Sequence, residues 1–166
     1  MSTLKAAAVF SNHMVLQMGK PINIWGHDYS GKLVKAELCG FLAEAICRDN
    51  EWHIILPPIN AYGGPYELKI TDGEETITFV DVMIGEVWIA GGQSNMELEL
   101  QNEVHGAEEL KKCASSNVRF YYTKKNPYID EFFYIDERNS GWTCASEDAS
   151  RCWSAVGYYF GKKLAA

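Results

Sequence analysis

Ser94 is the first residue in this sequence whose type and setting could do chemistry. It stands in Gly91-Gly92-Gln93-Ser94-Asn95-Met96, directly after Met83 to Ala90, a run that is apolar apart from Gly85 and Glu86. A hydroxyl at such a place can attack an ester carbonyl once a base removes its proton. The two glycines let the backbone turn sharply and let a substrate come close. The N–H of Ser94 can then face the same crevice as its hydroxyl and hold a developing oxyanion. Gly-Ser-Asn is also an ordinary turn sequence, so spacing alone leaves nucleophile and turn residue both open. Gln93 and Asn95, on either side, are candidates for orienting substrate hydroxyls or simply for shaping the turn.

A serine nucleophile needs a base, and the sequence offers His13, His27, His53 and His105. Only His105 is near Ser94 in the chain. It opens a predicted helix beside Glu103, Glu108 and Glu109, the setting of a solvated histidine, while His13 and His53 fall among strands as packing or turn residues. Glu86 inside the apolar run is either a buried acid or, because an unpaired buried charge is costly, a carboxylate held by hydrogen bonds. The local pattern is not the nucleophile elbow of α/β-hydrolases, which needs glycine two residues after the serine where Met96 stands. The five cysteines, Cys39, Cys47, Cys113, Cys144 and Cys152, are odd in number and contain no Cys-x-x-Cys pair. They suggest neither a zinc site nor a disulfide framework, and are expected to be free thiols of a cytoplasmic protein. Phe120-Tyr121-Tyr122 through Phe132-Phe133-Tyr134 could form a sugar platform or pack between domains.

The elements that must position Ser94 divide near Val82. Before it, Val34, Ala36 and Leu38 alternate with Lys35, Glu37 and Cys39, the period of a half-buried strand. Further strands are predicted over Ile22 to Trp25, Phe41 to Cys47, Trp52 to Leu56, Tyr66 to Ile70 and Thr76 to Val80, with turn signals at Asp49-Asn50, Gly63-Gly64-Pro65 and Asp72-Gly73. Residues 1–82 therefore read as an antiparallel β-sandwich-like domain. From Met83 the pattern changes: Met83 to Ala90 reads as a strand buried on both faces and opening a parallel sheet. A helix over Glu103 to Cys113, a strand over Val118 to Tyr122, a loop from Lys124 to Ser150 and an amphipathic helix over Trp153 to Leu164 follow. Residues 83–166 then read as the beginning of a three-layer α/β domain, with Ser94 at the C-terminal end of its first strand, where such sheets place ligands. Since the sequence stops at Leu164-Ala165-Ala166 with no strand after the helix, it reads as the N-terminal part of a longer protein.

Composition narrows the partners. With 166 residues, 47% hydrophobic and 22% charged, the chain is expected to fold, and 13% aromatic residues supply large apolar surface. A net charge of -7 with no basic stripe excludes nucleic acid as a partner. An anionic sugar would require a local cluster of donors, which the sequence does not display. The apolar run Ala6 to Phe10 is too short for a signal peptide, and no stretch reaches the ~18 to 20 apolar residues of a membrane span.

Several blocks in order resemble the sialate O-acetylesterase family. These are Phe10-Ser11-Asn12-His13-Met14-Val15-Leu16-Gln17, Trp25-Gly26, Leu56-Pro57-Pro58, Gly63-Gly64-Pro65-Tyr66-Glu67-Leu68, Ile84-Gly85-Glu86-Val87-Trp88 with Gly92-Gln93-Ser94-Asn95-Met96, and Ser154-Ala155-Val156-Gly157-Tyr158-Tyr159-Phe160-Gly161. Asn12 stands where the family more often has Asp, and Gly91 where it often has Ser. The resemblance implies an SGNH-hydrolase-like domain after the β domain, Ser94 as nucleophile, an acyl-enzyme, and an O-acetylated sugar, above all 9-O-acetyl sialic acid, as substrate. It implies no metal and no organic cofactor. The family's Gly block, Asn block and Asp-x-x-His all fall after residue 166, so the chain alone is expected to be inactive and to associate with itself through uncovered surface. The alternative is a non-catalytic carbohydrate-binding or scaffolding β module in which Ser94 is a turn residue.

Overall fold

A computed structural model describes residues 3–115, 117–124 and 128–165. The chain divides into two compact units, one of residues 1–87 and 128–141, the other of residues 88–127 and 142–166.

In the first unit the period-two pattern becomes two sheets. One is three-stranded, in the order β1 (Lys5–Ala6), β3 (Ile22–His27), β6 (Glu51–Leu56), and antiparallel throughout. The other is five-stranded, in the order β2 (Val15–Gln17), β8 (Thr76–Gly85), β7 (Gly63–Thr71), β4 (Leu33–Leu38), β5 (Phe41–Ile46). Ile22, Ile24, Trp52, Ile54 and Leu56 of the smaller sheet are buried, as are Val34, Ala36, Leu38, Leu68, Ile70, Val82 and Ile84 of the larger one. Each large side chain so covered contributes about 1.5 to 3 kcal/mol of transfer free energy. β6 lies against β4 and β5, so the inward faces of the two sheets share one core.

The expected sandwich holds with two corrections. β2 runs parallel to β8, with Leu16 opposite Ile84, so the larger sheet is mixed. Gly63 to Pro65 lie within β7, where register shifts between Gly63 and Tyr66 and between Tyr66 and Leu68 bend the strand without ending it. Asp49-Asn50 does form the expected tight turn: both residues are left-handed, φ 52° and 63°, and Arg48 and Glu51 exchange backbone hydrogen bonds of 2.9 Å across it. A second such turn at Cys39-Gly40, φ 52° and 78°, joins β4 to β5 and carried no marked signal in the sequence. The helix α2 (Glu131–Arg138) also belongs to this unit, begun by Asp130, whose side chain accepts the N–H of Phe133 at 3.0 Å.

The second unit contains α1 (Gly106–Lys112), β9 (Arg119–Tyr121), β10 (Trp142–Cys144) and α3 (Ala155–Leu164). Its core is Leu100, Leu110, Cys113, Val118, Ala145, Trp153, Ala155 and Tyr158, with Phe120 and Tyr159 packed against it. Here the expected opening of a parallel sheet is not what the chain forms. Met83 to Gly85 complete β8 of the first unit, and the rest of the apolar run lies outside any strand, with Trp88 61% and Ile89 99% exposed. β9 pairs antiparallel with β10, Phe120 opposite Thr143. The expected loop after Lys124 includes α2 and β10, while Lys125, Asn126 and Pro127 lie outside the described residues. No cysteine is bonded to another; Cys47 and Cys113 are buried, and Cys39, Cys144 and Cys152 are exposed. Among the described residues no helix is long and apolar enough to cross a membrane.

Candidate active site

Ser94 opens a 3-10 turn, Ser94–Glu97, and is exposed. Its φ is +48°, in the left-handed region that costs a residue with a Cβ about 1 to 2 kcal/mol. Gly92, two residues before, has φ +151°, a conformation open in practice only to glycine. The chain therefore arrives at Ser94 by a path that Gly92 makes possible. The carbonyl of Gln93 accepts the N–H of Met96 at 3.0 Å and that of Asn95 accepts the N–H of Leu98 at 3.3 Å, which closes the turn. As first residues of the turn, Ser94 and Asn95 have N–H groups that it does not itself use.

What holds this turn comes from about sixty residues downstream. Ser154 caps α3, its hydroxyl oxygen accepting the N–H of Gly157 at 3.2 Å, and the same hydroxyl donates to the sulfur of Met96 at 3.2 Å. Around it the backbone pairs: Ala155 N–H donates to Leu98 at 2.8 Å, Leu100 to Trp153 at 2.8 Å, and Gln101 to Arg151 at 3.1 Å. α3 is seated by two glycines one turn apart. A Cβ on Gly157 would meet the Phe120 ring at 3.4 Å, and one on Gly161 would press on Val118 at 3.0 Å. Trp88 meets Phe160 of α3 edge-on, with centroids 5.3 Å apart.

Gln93 and Asn95 are both exposed beside Ser94. Among the described residues nothing hydrogen-bonds the Ser94 hydroxyl. His105 is exposed at the start of α1, its backbone N–H donating to Glu103 at 2.8 Å. The same Glu103 oxygen accepts the Tyr159 hydroxyl at 2.9 Å, and burial, followed by this bond, pushes the Tyr159 phenol far above its ordinary range. His13 sits in a turn with φ +68° and pairs through Nδ1 with Asp81 at 2.6 Å, while His53 meets Asn23 at 2.9 Å across β3 and β6. Glu86 is not buried: it is exposed and accepts from Gln17 and Tyr62, each at 3.3 Å. Of the aromatic stretch, Phe120 stacks on Trp153 in the second unit, while Phe133 and Tyr134 lie on α2 in the first. The residue that sequence reasoning passed over is Ser154, and its signal was a serine just ahead of a helical run.

No family model matches the chain. Sialate O-acetylesterases of Rattus norvegicus and Mus musculus are each 29% identical to it over 152 residues, which is 82% of this chain and 28% of theirs. The one from Homo sapiens is 30% identical over 122 residues, 66% of this chain and 23% of that protein. A solved carbohydrate acetylesterase from Xanthomonas citri superposes with a TM-score of 0.85 at 25% identity, covering 96% of this chain and 37% of that one. The chain is thus sialate O-acetylesterase-like, as its motifs indicate, and spans under two fifths of the length of the proteins it matches.

Proposed function

We propose that this chain contributes the nucleophile of a carbohydrate O-acetylesterase and that the nucleophile is Ser94. In the reaction, Ser94 Oγ bonds to the acetyl carbonyl carbon as its proton passes to a base, the carbonyl oxygen becoming the oxyanion. Collapse breaks the bond to the sugar oxygen, which takes the proton back and leaves as a hydroxyl. Water then attacks the acetyl-serine, returning the proton to Ser94 and releasing acetate. Gln93 and Asn95 orient the sugar hydroxyls beside the ester. An O-acetylated sialic acid is the substrate that the relatives' names suggest, and acetylation at its 9-position is our reading of the resemblance.

The observation that carries the reading is the left-handed backbone of an exposed serine, in a segment whose partners are tied down on both sides. Strain of this kind, held by surrounding structure, is a feature of reactive positions. His105, the histidine of the same unit, is exposed at the start of α1 and does not bond Ser94, so we infer that it is not the base and that this chain alone turns over slowly. Removing a triad histidine typically costs about four to six orders of magnitude.

The test is peptide mapping after treatment with a serine-reactive fluorophosphonate, with imidazole added as an external base, alongside acetate release from an O-acetylated sugar. Ser94 is expected to react well ahead of Ser30, another exposed serine. Equal reaction at the two serines would sink the nucleophile assignment. Acetate release within a hundredfold of a typical kcat of about 10 per second would sink the claim of a missing base.

A further inference from the structure

The pairing of β1 with β3 places Lys5 opposite His27 on the smaller sheet, both exposed. Just beyond them the chain turns through Asp28 and Tyr29, and the tip residue Asn50 comes alongside, its carbonyl accepting the Asp28 N–H at 3.2 Å. Together with Thr3, these residues line an open depression of about 290 Å³ on the first unit. At roughly 30 Å³ per liquid water, that is the room of about ten waters, or of one monosaccharide.

Its polar groups are not mutually satisfied. Asp28 is only 3% exposed; its Oδ1 accepts the Tyr29 N–H at 2.7 Å and the Thr3 hydroxyl at 3.1 Å, but its Oδ2 is buried with no partner. A buried carboxylate oxygen left open is rare and asks for a donor. Asn50 Oδ1 is taken by the Ser30 N–H at 3.3 Å and the Ser30 hydroxyl at 3.4 Å, which leaves the Asn50 amide N–H groups unused among the described residues. Lys5 and the His27 ring likewise have no side-chain partner among the described residues. Tyr29, 63% exposed, supplies an aromatic face at the rim.

We infer that this depression is a second carbohydrate site, taking one neutral sugar ring whose hydroxyls meet Asn50 and Lys5 at the surface and reach Asp28, whose open oxygen is buried in the free chain, as the wall yields, while the ring's C–H face lies on Tyr29. An acceptor, amide and ammonium donors and an aromatic ring within one monosaccharide's reach match a polyol, which offers both donors and acceptors, beside an apolar face. An acidic sugar fits worse, since Asp28 lies in the wall and Glu51 stands opposite His27 on β6. A metal ion would find one carboxylate and one ammonium. The choice of a sugar over other polyols rests on the esterase reading of Ser94, whereas the open donor and acceptor set does not. Such a site holds the glycan without touching the acetyl ester.

The experiment is titration of this chain with unacetylated galactose, xylose and N-acetylglucosamine, and with glucuronic acid as the anionic control, followed by ¹H–¹⁵N NMR. Saturable shifts at His27, Tyr29 and Asn50 are expected with at least one neutral sugar. Tyr29→Ala, at an exposed position, and Asn50→Gly, which suits the φ of +63° there, should each weaken binding about tenfold or more. Absence of shifts with all three neutral sugars would overturn the inference. So would shifts that both variants leave unchanged, or tighter binding of glucuronic acid. Fluorophosphonate labelling of Ser94 is read separately, so the esterase reading and the second site fail independently.

Discussion

Replacing Ser94 by glycine and by alanine separates strain from chemistry. At φ +48° the Cβ of Ser94 costs about 1 to 2 kcal/mol, and glycine removes that cost. Glycine also gives the unfolded chain more freedom, which takes back about 0.4 to 1 kcal/mol. The net expectation for Ser94→Gly is a stabilisation of about 0.5 to 1 kcal/mol, or a rise in melting temperature of about 1 to 4 °C for a chain of this size. Alanine keeps the Cβ and the strain and loses a hydroxyl without a described partner. Ser94→Ala should therefore match the parent within about 0.5 kcal/mol. The order Gly above Ser, with Ala equal to Ser, reverses the usual ranking in helical turns, where glycine is the poorest residue after proline. Thermal melts followed by circular dichroism and guanidinium titrations read both variants, and fluorophosphonate should modify neither at residue 94. A glycine variant less stable than the parent by more than about 0.5 kcal/mol would refute the reasoning, since the left-handed backbone would then carry no strain for glycine to relieve.

Ser154→Ala should cost about 1 kcal/mol through the lost cap and slow the labelling of Ser94 by freeing Met96, while Ser154→Thr restores both; labelling unchanged in the alanine variant would remove Ser154 from the positioning of the site. Asp72 works against burial of its carboxyl, yet the N–H groups of Glu75 and Glu74 and then the Lys32 ammonium hold it below its ordinary value of 3.8. Its contribution is thus full above the unfolded value and fades as pH falls through the lower folded one, so Asp72→Asn, costing about 1.5 kcal/mol at neutral pH, should lose that deficit in melts below pH 3.8 and not above it. Trp88, Ile89, Val156, Phe160 and Leu164 are all exposed on the second unit, and we expect the isolated chain to self-associate through them; sedimentation equilibrium should show mass rising with concentration and Ile89→Asp restoring a monomer.

Legibility in the sequence followed the range of the interactions. Strands such as Ile22–His27 and Glu51–Leu56 were readable because burial alternates residue by residue, and that alternation is a local property of the sequence. The parallel pairing of Val15–Gln17 with Met83–Gly85 was not, since a three-residue strand has no period to detect and its partner lies almost seventy residues away. The run Met83 to Ala90 misled for a related reason: apolarity reports that a segment can be buried, not which neighbours it meets. α2 was missed although Asp130 caps it, because eight residues with two adjacent phenylalanines show little helical period. A sharp turn ahead of Ser94 was readable from Gly91-Gly92, but neither its φ nor the absence of the strand expected to lead into it was. The sugar-sized depression was invisible, as its walls come from Thr3, Lys5, residues 27–29 and Asn50, which meet only through the pairing of β3 with β1 on one side and β6 on the other.

Two of the blocks that carried the resemblance, Gly92 to Met96 and Ser154 to Gly161, are one mechanical object in the fold. A left-handed serine would relax if its turn were free, because about 1 to 2 kcal/mol favours relaxation. Opposing it are the bond between Ser154 and Met96, the three backbone hydrogen bonds joining residues 98–101 to 151–155, and the cap of α3. At about 0.5 to 1.5 kcal/mol for each hydrogen bond, the clamp exceeds the strain it must hold. The clamp in turn needs α3 to lie close on Val118 and Phe120: a Cβ at position 157 would just touch the Phe120 ring at 3.4 Å, and at position 161 it would press on Val118 at 3.0 Å. The Gly-x-x-x-Gly spacing of the last helix is thus part of the support of the Ser94 turn, and a bulky residue at Gly161 would reach Ser94 through α3, Ser154 and Met96 without touching it.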